Sequence, residues 1–155
     1  MSGENDLIKL YSGRILALAA EIPHTNRLAA PQATVKKRSP LCGSTVTVDV
    51  VLENGRITDF AQDVKACALG QASASVVGAN VVGCSRDQIE AARDALKAML
   101  KEDGPSPNGK WSDLQVLMPV RDFKARHAST LLTFDAVCDA VRQAQGEGAE
   151  IPAAG

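Results

Sequence analysis

The sequence predicts an α+β fold: a small antiparallel β-sheet of about three strands with helices packed on one face. Three observations carry this. Asn54-Gly55, the strongest short-range signal for a two-residue hairpin turn, separates two strand-like runs, residues 45–52 (TVTVDVVL) and 57–65 (ITDFAQDVK). The strand patterns lie in the first half of the chain and the helical patterns follow them. The later segments repeat apolar residues at helical rather than alternating spacing.

Residues 5–20 read as an amphipathic helix, with Leu7, Leu10, Tyr11, Ile15 and Leu18 on one stripe, and Pro23 stops it. The next stretch, to Ser39, is irregular, with a short strand at 34–38. Pro40 leads into Leu41-Cys42-Gly43-Ser44, and the hairpin follows, its alternation placing Val46, Val48, Val50 and Leu52 on a buried face. Residues 68–82 (ALGQASASVVGANVV) are small and apolar, which suits a helix packed closely on a sheet. Ser85-Arg86-Asp87-Gln88 is a capping-box signature opening a helix at 86–100, with Ile89, Ala92, Leu96 and Leu100 inward. Two prolines between Gly104 and Gly109 break the chain. Residues 114–120 form a short apolar segment, and a last helix covers 125–145 with Leu131, Leu132, Val137 and Val141 inward. Residues 1–145 are expected to form one domain and 146–155 a flexible tail.

Composition narrows the function. Net charge is −1, and no basic block or aromatic-basic interleaving points to nucleic acid. Aromatic residues make up only 3%, so the core must be aliphatic. No apolar run approaches the ~20 residues of a membrane span, and the polar N-terminus lacks a signal-peptide layout. The expectation is a cytoplasmic protein whose thiols stay reduced, which favours metal or sulfur chemistry over structural disulfides.

The cysteines are therefore informative. Cys42 and Cys67 stand equally far from the Asn54-Gly55 turn, so an uninterrupted ladder brings them opposite one another at its open end. Directly opposed residues have Cα atoms roughly 4.5–5.5 Å apart, near enough to share a metal or cluster; a bulge would shift the register by one. Cys67 falls where strand gives way to helix, and a helix N-terminus favours negative charge. Thiolate is the form that binds soft metals and attacks a persulfide. Gly43 allows the tight backbone of a ligand loop, and Ser44 is a weak oxygen neighbour. Cys84 and Cys138 sit in helical apolar contexts and read as small buried hydrophobes. His24 reads as a solvated turn residue. His127, near the start of the last helix, either joins Cys42 and Cys67 or is an exposed helix-start residue. Two thiolates and an imidazole suit zinc or iron and leave room for an exogenous ligand. Asp63 and Asp122 are carboxylates that nothing positions, and Lys36-Lys37-Arg38 reads as a solvated face.

Three stretches resemble the iron–sulfur cluster scaffold family of IscU, SufU and the NifU N-terminal domain. They are Ser39-Pro40-Leu41-Cys42-Gly43-Ser44, then Lys65-Ala66-Cys67-Ala68-Leu69-Gly70-Gln71-Ala72-Ser73-Ala74-Ser75, and Val120-Arg121-Asp122-Phe123-Lys124-Ala125-Arg126. They are similar to the family's P-x-C-G-D, G-C-x-x-x-x-A-S-x-S and V-[KR]-x-F-P-x-R motifs, and the likeness extends from about Asn5 to Val141. The material around Lys101 to Asp113 is more like the SufU branch. The resemblance implies an IscU/NifU-like fold and assembly of a [2Fe–2S] cluster from iron and sulfur delivered by a cysteine desulfurase, or zinc-dependent persulfide relay in the SufU branch. It matches Cys42 and Cys67 to the first two cysteine ligands. Ser44 replaces the family's Asp. Gapless matching puts Ser129 at the third cysteine and Ala128 beside it; one residue of slippage puts Ala128 there with His127 alongside.

These readings combine into an iron–sulfur scaffold or carrier, not an enzyme. It would bind iron or a [2Fe–2S] cluster through Cys42 and Cys67, with His127 as third ligand and Ser44 and Ser129 as weaker candidates. Its expected partners are a cysteine desulfurase and cluster-acceptor proteins, with no nucleic acid or membrane, and its expected state is a monomer or weak homodimer. The alternatives are a zinc-binding persulfide-relay accessory, and a degenerate homologue that works as an interaction module without metal.

Overall fold

The hairpin forms as the turn chemistry dictates. In the computed structural model, which describes residues 12–41 and 43–146, Asn54 (φ +53°) and Gly55 (φ +76°) both occupy the left-handed region that a two-residue turn of this hand requires. They join β2 (Thr45–Glu53) to β3 (Arg56–Lys65). The expected strand near 34–38 is β1 (Ala33–Arg38), and the three strands form one antiparallel sheet in the order β1-β2-β3.

One face of this sheet is the floor of the core. Ala33 and Val35 of β1, Val46, Val48 and Val50 of β2, and Phe60 of β3 are all buried on it, with Val35 opposite Val48 and Val50 opposite Phe60. The ladder is interrupted between Val51 and Leu52. The cause is legible in Ile57 and Phe60, which are both buried although three positions apart. Strict alternation sends such a pair to opposite faces, and a bulge returns them to one. The consequence is a register one residue away from the uninterrupted one: Thr45 pairs with Lys65, not Val64.

Among the described residues there are four helices, α1 (Gly13–Ala20), α2 (Ala68–Asn80), α3 (Arg86–Lys101) and α4 (His127–Ala144); α2 and α4 pack on the sheet, α1 on α2 and α3 on α4. Of the helix expected at 5–20, α1 is the described part, capped by Ser12, with Ile15 buried; Leu7, Leu10 and Tyr11 lie outside the described residues, as do 147–155 of the expected tail. The capping box at Ser85 and Gln88 forms in both directions. Between α3 and α4 the chain makes a 3-10 helix (Gly109–Asp122) and a 3-10 turn (Lys124–Arg126), so the last helix begins at His127 rather than Ala125. Trp111, Leu114, Leu117 and Val120 are buried. Their strict threefold spacing matches three residues per turn, which aligns every third side chain.

α4 is the central element, packed on β1, β2, α2 and α3. It is buried on all sides from His127 to Val141 rather than along one stripe. Its two interior carboxylates need cations. Asp135 pairs with Arg93 of α3. Asp139 pairs with Lys37 of β1 at 2.7 Å, with Lys37 only 8% exposed. Lys37 thus departs from the solvated face expected of the basic run, because strand alternation turns it inward while Lys36 and Arg38 stay exposed. On the opposite sheet face, Asp49 is buried under the loop before β1. It accepts from Arg27 Nε (2.6 Å) and Nη2 (2.9 Å), from the Leu28 backbone (3.1 Å) and from the Thr34 hydroxyl (2.7 Å).

Candidate functional site

Two junctions meet at one end of the sheet. The start of β2 lies between the end of β1 and the end of β3, with Thr45 paired to both Arg38 and Lys65. The β1–β2 loop and the β3–α2 junction are therefore neighbours. The loop is tight: Ser39 N–H donates to the Ser44 carbonyl (2.8 Å), Gly43 N–H donates to the Ser39 carbonyl (2.9 Å), and Gly43 takes φ +73°. Cys42 belongs to this loop in sequence but lies outside the described residues.

Cys67 is the N-cap residue of α2, in extended conformation, and its side chain caps no backbone N–H. The thiol is half-buried. Its Sγ lies 3.4 Å from Ser129 Oγ, and Ser129 Oγ lies 3.3 Å from Ser44 Oγ. A thiol and two hydroxyls from three elements thus form one chain of contacts. Gly70 makes this possible. A Cβ there would stand 2.9 Å from Ala66 Cβ and 3.0 Å from Ser129 Oγ, so only glycine lets the first turns of α2 and α4 approach so closely. Gln71 adds a brace, donating from Nε2 to the Ala66 carbonyl at 2.9 Å. Sequence reasoning passed over both residues; their signal was the Gly/Ala/Ser-rich run after Cys67.

The geometry favours Ser129 over Ala128 at the position where the resemblance expects a third cysteine, since the Ser129 side chain touches Cys67. His127 is separate from this cluster. Residues two apart on a helix do not share a face. The ring is buried, not exposed as the simpler expectation had it. Its Nε2 lies 2.9 Å from the Val120 carbonyl and 3.2 Å from the Arg121 carbonyl. Carbonyls only accept, so Nε2 carries the proton and Nδ1 keeps a bare lone pair. Burial, with help from the nearby Lys101 and Lys124 charges, lowers the imidazole pKa below its ordinary 6.5 against the raising effect of the two carbonyls.

The remaining candidates separate cleanly. Cys84 is buried, in the turn between α2 and α3 rather than in a helix. Its thiol donates to the Asn80 carbonyl (3.4 Å) and accepts from Lys110 Nζ (3.3 Å). Cys138 is buried inside α4, where desolvation pushes its thiol up to about 12. Asp63 and Asp122 are exposed, and His24 is an exposed loop residue whose ring stands edge-on to Phe60. No three His, Cys, Asp or Glu side chains converge on a common metal position among the described residues. The cluster around Cys67 alone, one thiol with two hydroxyls, is not a complete soft-metal site. No helix among the described residues is long and apolar enough to cross a membrane.

The described residues thus form a three-stranded antiparallel sheet under helices, with Cys67 at the junction between β3 and α2. The family model for the NifU-like N terminal domain matches residues 10–129, and the chain belongs to that family. It is 22% identical, over 129 residues, to the iron–sulfur cluster assembly scaffold protein IscU of Streptococcus pyogenes serotype M1, covering 83% of this chain and 81% of that protein. Among solved structures, the N-terminal part of a nitrogen-fixing NifU-like protein from Brucella abortus is 53% identical, with a TM-score of 0.88 over 90% of this chain and 97% of that one. A protein from Fervidobacterium islandicum AW-1, described as a cluster assembly scaffold for the SUF system, has a TM-score of 0.78 at 17% identity over 85% of this chain and 96% of its own. At that identity it shares the fold alone.

Proposed function

We propose that this protein carries iron or a [2Fe–2S] cluster as cargo on the Cys42 and Cys67 thiolates. It would receive sulfur chemistry from a cysteine desulfurase and hand the product to acceptor proteins in the reducing cytoplasm, without turnover of its own. The single observation that supports this reading most is the setting of Cys67: a half-buried thiol at the start of α2, beside the loop that contains position 42. Thiolates are the ordinary ligands of such clusters. Ser129 lies close enough to orient the Cys67 sulfur by hydrogen bonding, and Ser44 in turn contacts the Ser129 hydroxyl. The His127 ring stands apart from the Cys67 cluster with Nε2 on the Val120 and Arg121 carbonyls, so we assign it to holding the end of the 3-10 helix against α4 rather than to the cargo.

Anaerobic reconstitution with ferrous iron, cysteine and a desulfurase, followed by visible absorption and metal analysis, tests the reading. Iron with acid-labile sulfide is expected. Stoichiometric zinc that disappears in Cys42→Ala would instead identify the persulfide-relay alternative, and a chain free of either metal would identify the interaction module. Cys67→Ser should lose the cargo with nearly unchanged stability, and Cys84→Ala should keep it; equal iron in the Cys67→Ser protein refutes the site.

A further inference from the structure

We propose that the outer edge of β1 is a docking strand for an acidic, extended segment of a partner protein, which adds to the sheet as a fourth strand beside Lys36 and Arg38. This surface stands whether or not the cargo reading does.

The two edges of the sheet are finished differently. The strand order β1-β2-β3 leaves β1 and β3 with one ladder each. The chain itself closes the β3 edge. Gln62 N–H donates to the His24 carbonyl (2.8 Å), Ile57 N–H donates to the Cys84 carbonyl (2.9 Å), and the Ile57 carbonyl accepts from Gly83 N–H (2.7 Å). At the other edge, β2 is the sole strand neighbour of β1 among the described residues. The register shows which backbone groups face away from β2. Ser39 N–H donates to the Ser44 carbonyl, so this is a hydrogen-bonded pair, and such pairs alternate along an antiparallel ladder. Lys37 and Val35, opposite Val46 and Val48, therefore bond to β2. Thr34, Lys36 and Arg38 turn their N–H and C=O groups outward. A row of this kind is a template for one more strand.

Charge decides which strand it accepts. Lys36 and Arg38 are exposed on the solvated sheet face, next to Thr47 and Thr45. Antiparallel pairing of β1 with a second copy of itself, centred on Lys36 or on Lys37, sets cation against cation, and like charges directly opposite destabilise a ladder. The chain's own residues 147–155 carry Glu147 and Glu150 but also Gly148, Pro152 and Gly155, which are poor strand formers. An incoming strand with carboxylates at alternate positions meets Lys36 and Arg38 with opposite charge. The same two cations thus reject a copy of this chain and select an acidic partner.

The test uses the full chain, isotope-labelled for NMR, and an acetylated, amidated peptide alternating Glu and Val, as long as β1. Hydrogen exchange at the Thr34, Lys36 and Arg38 amides should be fast in the free chain and severalfold slower with the peptide. A Lys-Val peptide of the same length should bind about tenfold more weakly. Lys36→Glu, at an exposed position, should reverse that preference with unchanged circular dichroism. A Glu-Val peptide N-methylated at alternate residues keeps the charge but loses the main-chain donors, and should leave the amides unprotected. Protection of those amides already in the free chain, no protection at millimolar Glu-Val peptide, or equal binding by the Lys-Val or the N-methylated peptide would each overturn the proposal.

Discussion

The Cys67 sulfur and the Cys138 sulfur belong to the same residue type and face opposite environments. One is half-buried at a helix start with a hydroxyl 3.4 Å away; the other is enclosed in α4, where burial raises its pKa to about 12. A thiol-specific reagent applied to the native protein should modify Cys67 quickly and Cys138 only after denaturation, as peptide mapping would record; rapid native labelling of Cys138 would contradict the packing of α4. His127 makes a second residue-scale prediction. Its folded pKa lies below the ordinary 6.5, so the folded state prefers the neutral ring and protons favour unfolding. Its contribution is full above about pH 6.5 and falls as pH drops from there toward the lower folded value. Urea midpoints should decline between about pH 7 and pH 5, with a smaller slope in His127→Asn. An identical slope in both proteins would remove His127 as the cause.

At the level of elements, the contact between the first turns of α2 and α4 places Cys67 against Ser129. The gap is set by Gly70, where a Cβ would press on Ala66 and on both the Oγ and the carbonyl of Ser129, at 2.9–3.2 Å. Gly70→Ala should cost roughly 1–3 kcal/mol through overpacking and weaken metal or cluster retention, because it pushes α2 away from α4; calorimetry and iron analysis read the two effects. The 3-10 helix shows how period selects geometry. A segment read only as apolar 114–120 extends across Gly109–Asp122, because Trp111, Leu114, Leu117 and Val120 line up only at three residues per turn. Similarly, Ile57 and Phe60, both buried although three positions apart, carry the sign of the bulge. The bulge moves the register at the open end of the ladder by one residue, so that Thr45 pairs with Lys65.

For the whole molecule, the sheet is held from both faces, by α4 beneath and by the loop before β1 above. Asp49 is the tie on the upper face. Although burial works against its charge, hydrogen bonds from Arg27, Thr34 and the Leu28 backbone, with the Arg27 charge, hold its carboxyl below the ordinary range. Asp49→Asn should lose about 2 kcal/mol of unfolding free energy, since charged hydrogen bonds are each worth ~1.5–3 kcal/mol. The wild type should also lose this advantage in acid, as pH falls through the folded pKa of Asp49. Denaturant melts at neutral and acid pH check both; an Asn variant as stable as wild type at neutral pH would deny the tie. By itself the sequence determined the hairpin, the order of strands and helices, the capping box and the cysteines worth attention, because turn chemistry, periodicity and caps act between residues close along the chain. Tertiary structure alone decided that Asp139 is the partner Lys37 meets, that α4 is buried on every side, that His127 serves two carbonyls and that Ser129 is the neighbour of Cys67. Each depends on which distant surface fills the remaining space, and no short-range pattern encodes that.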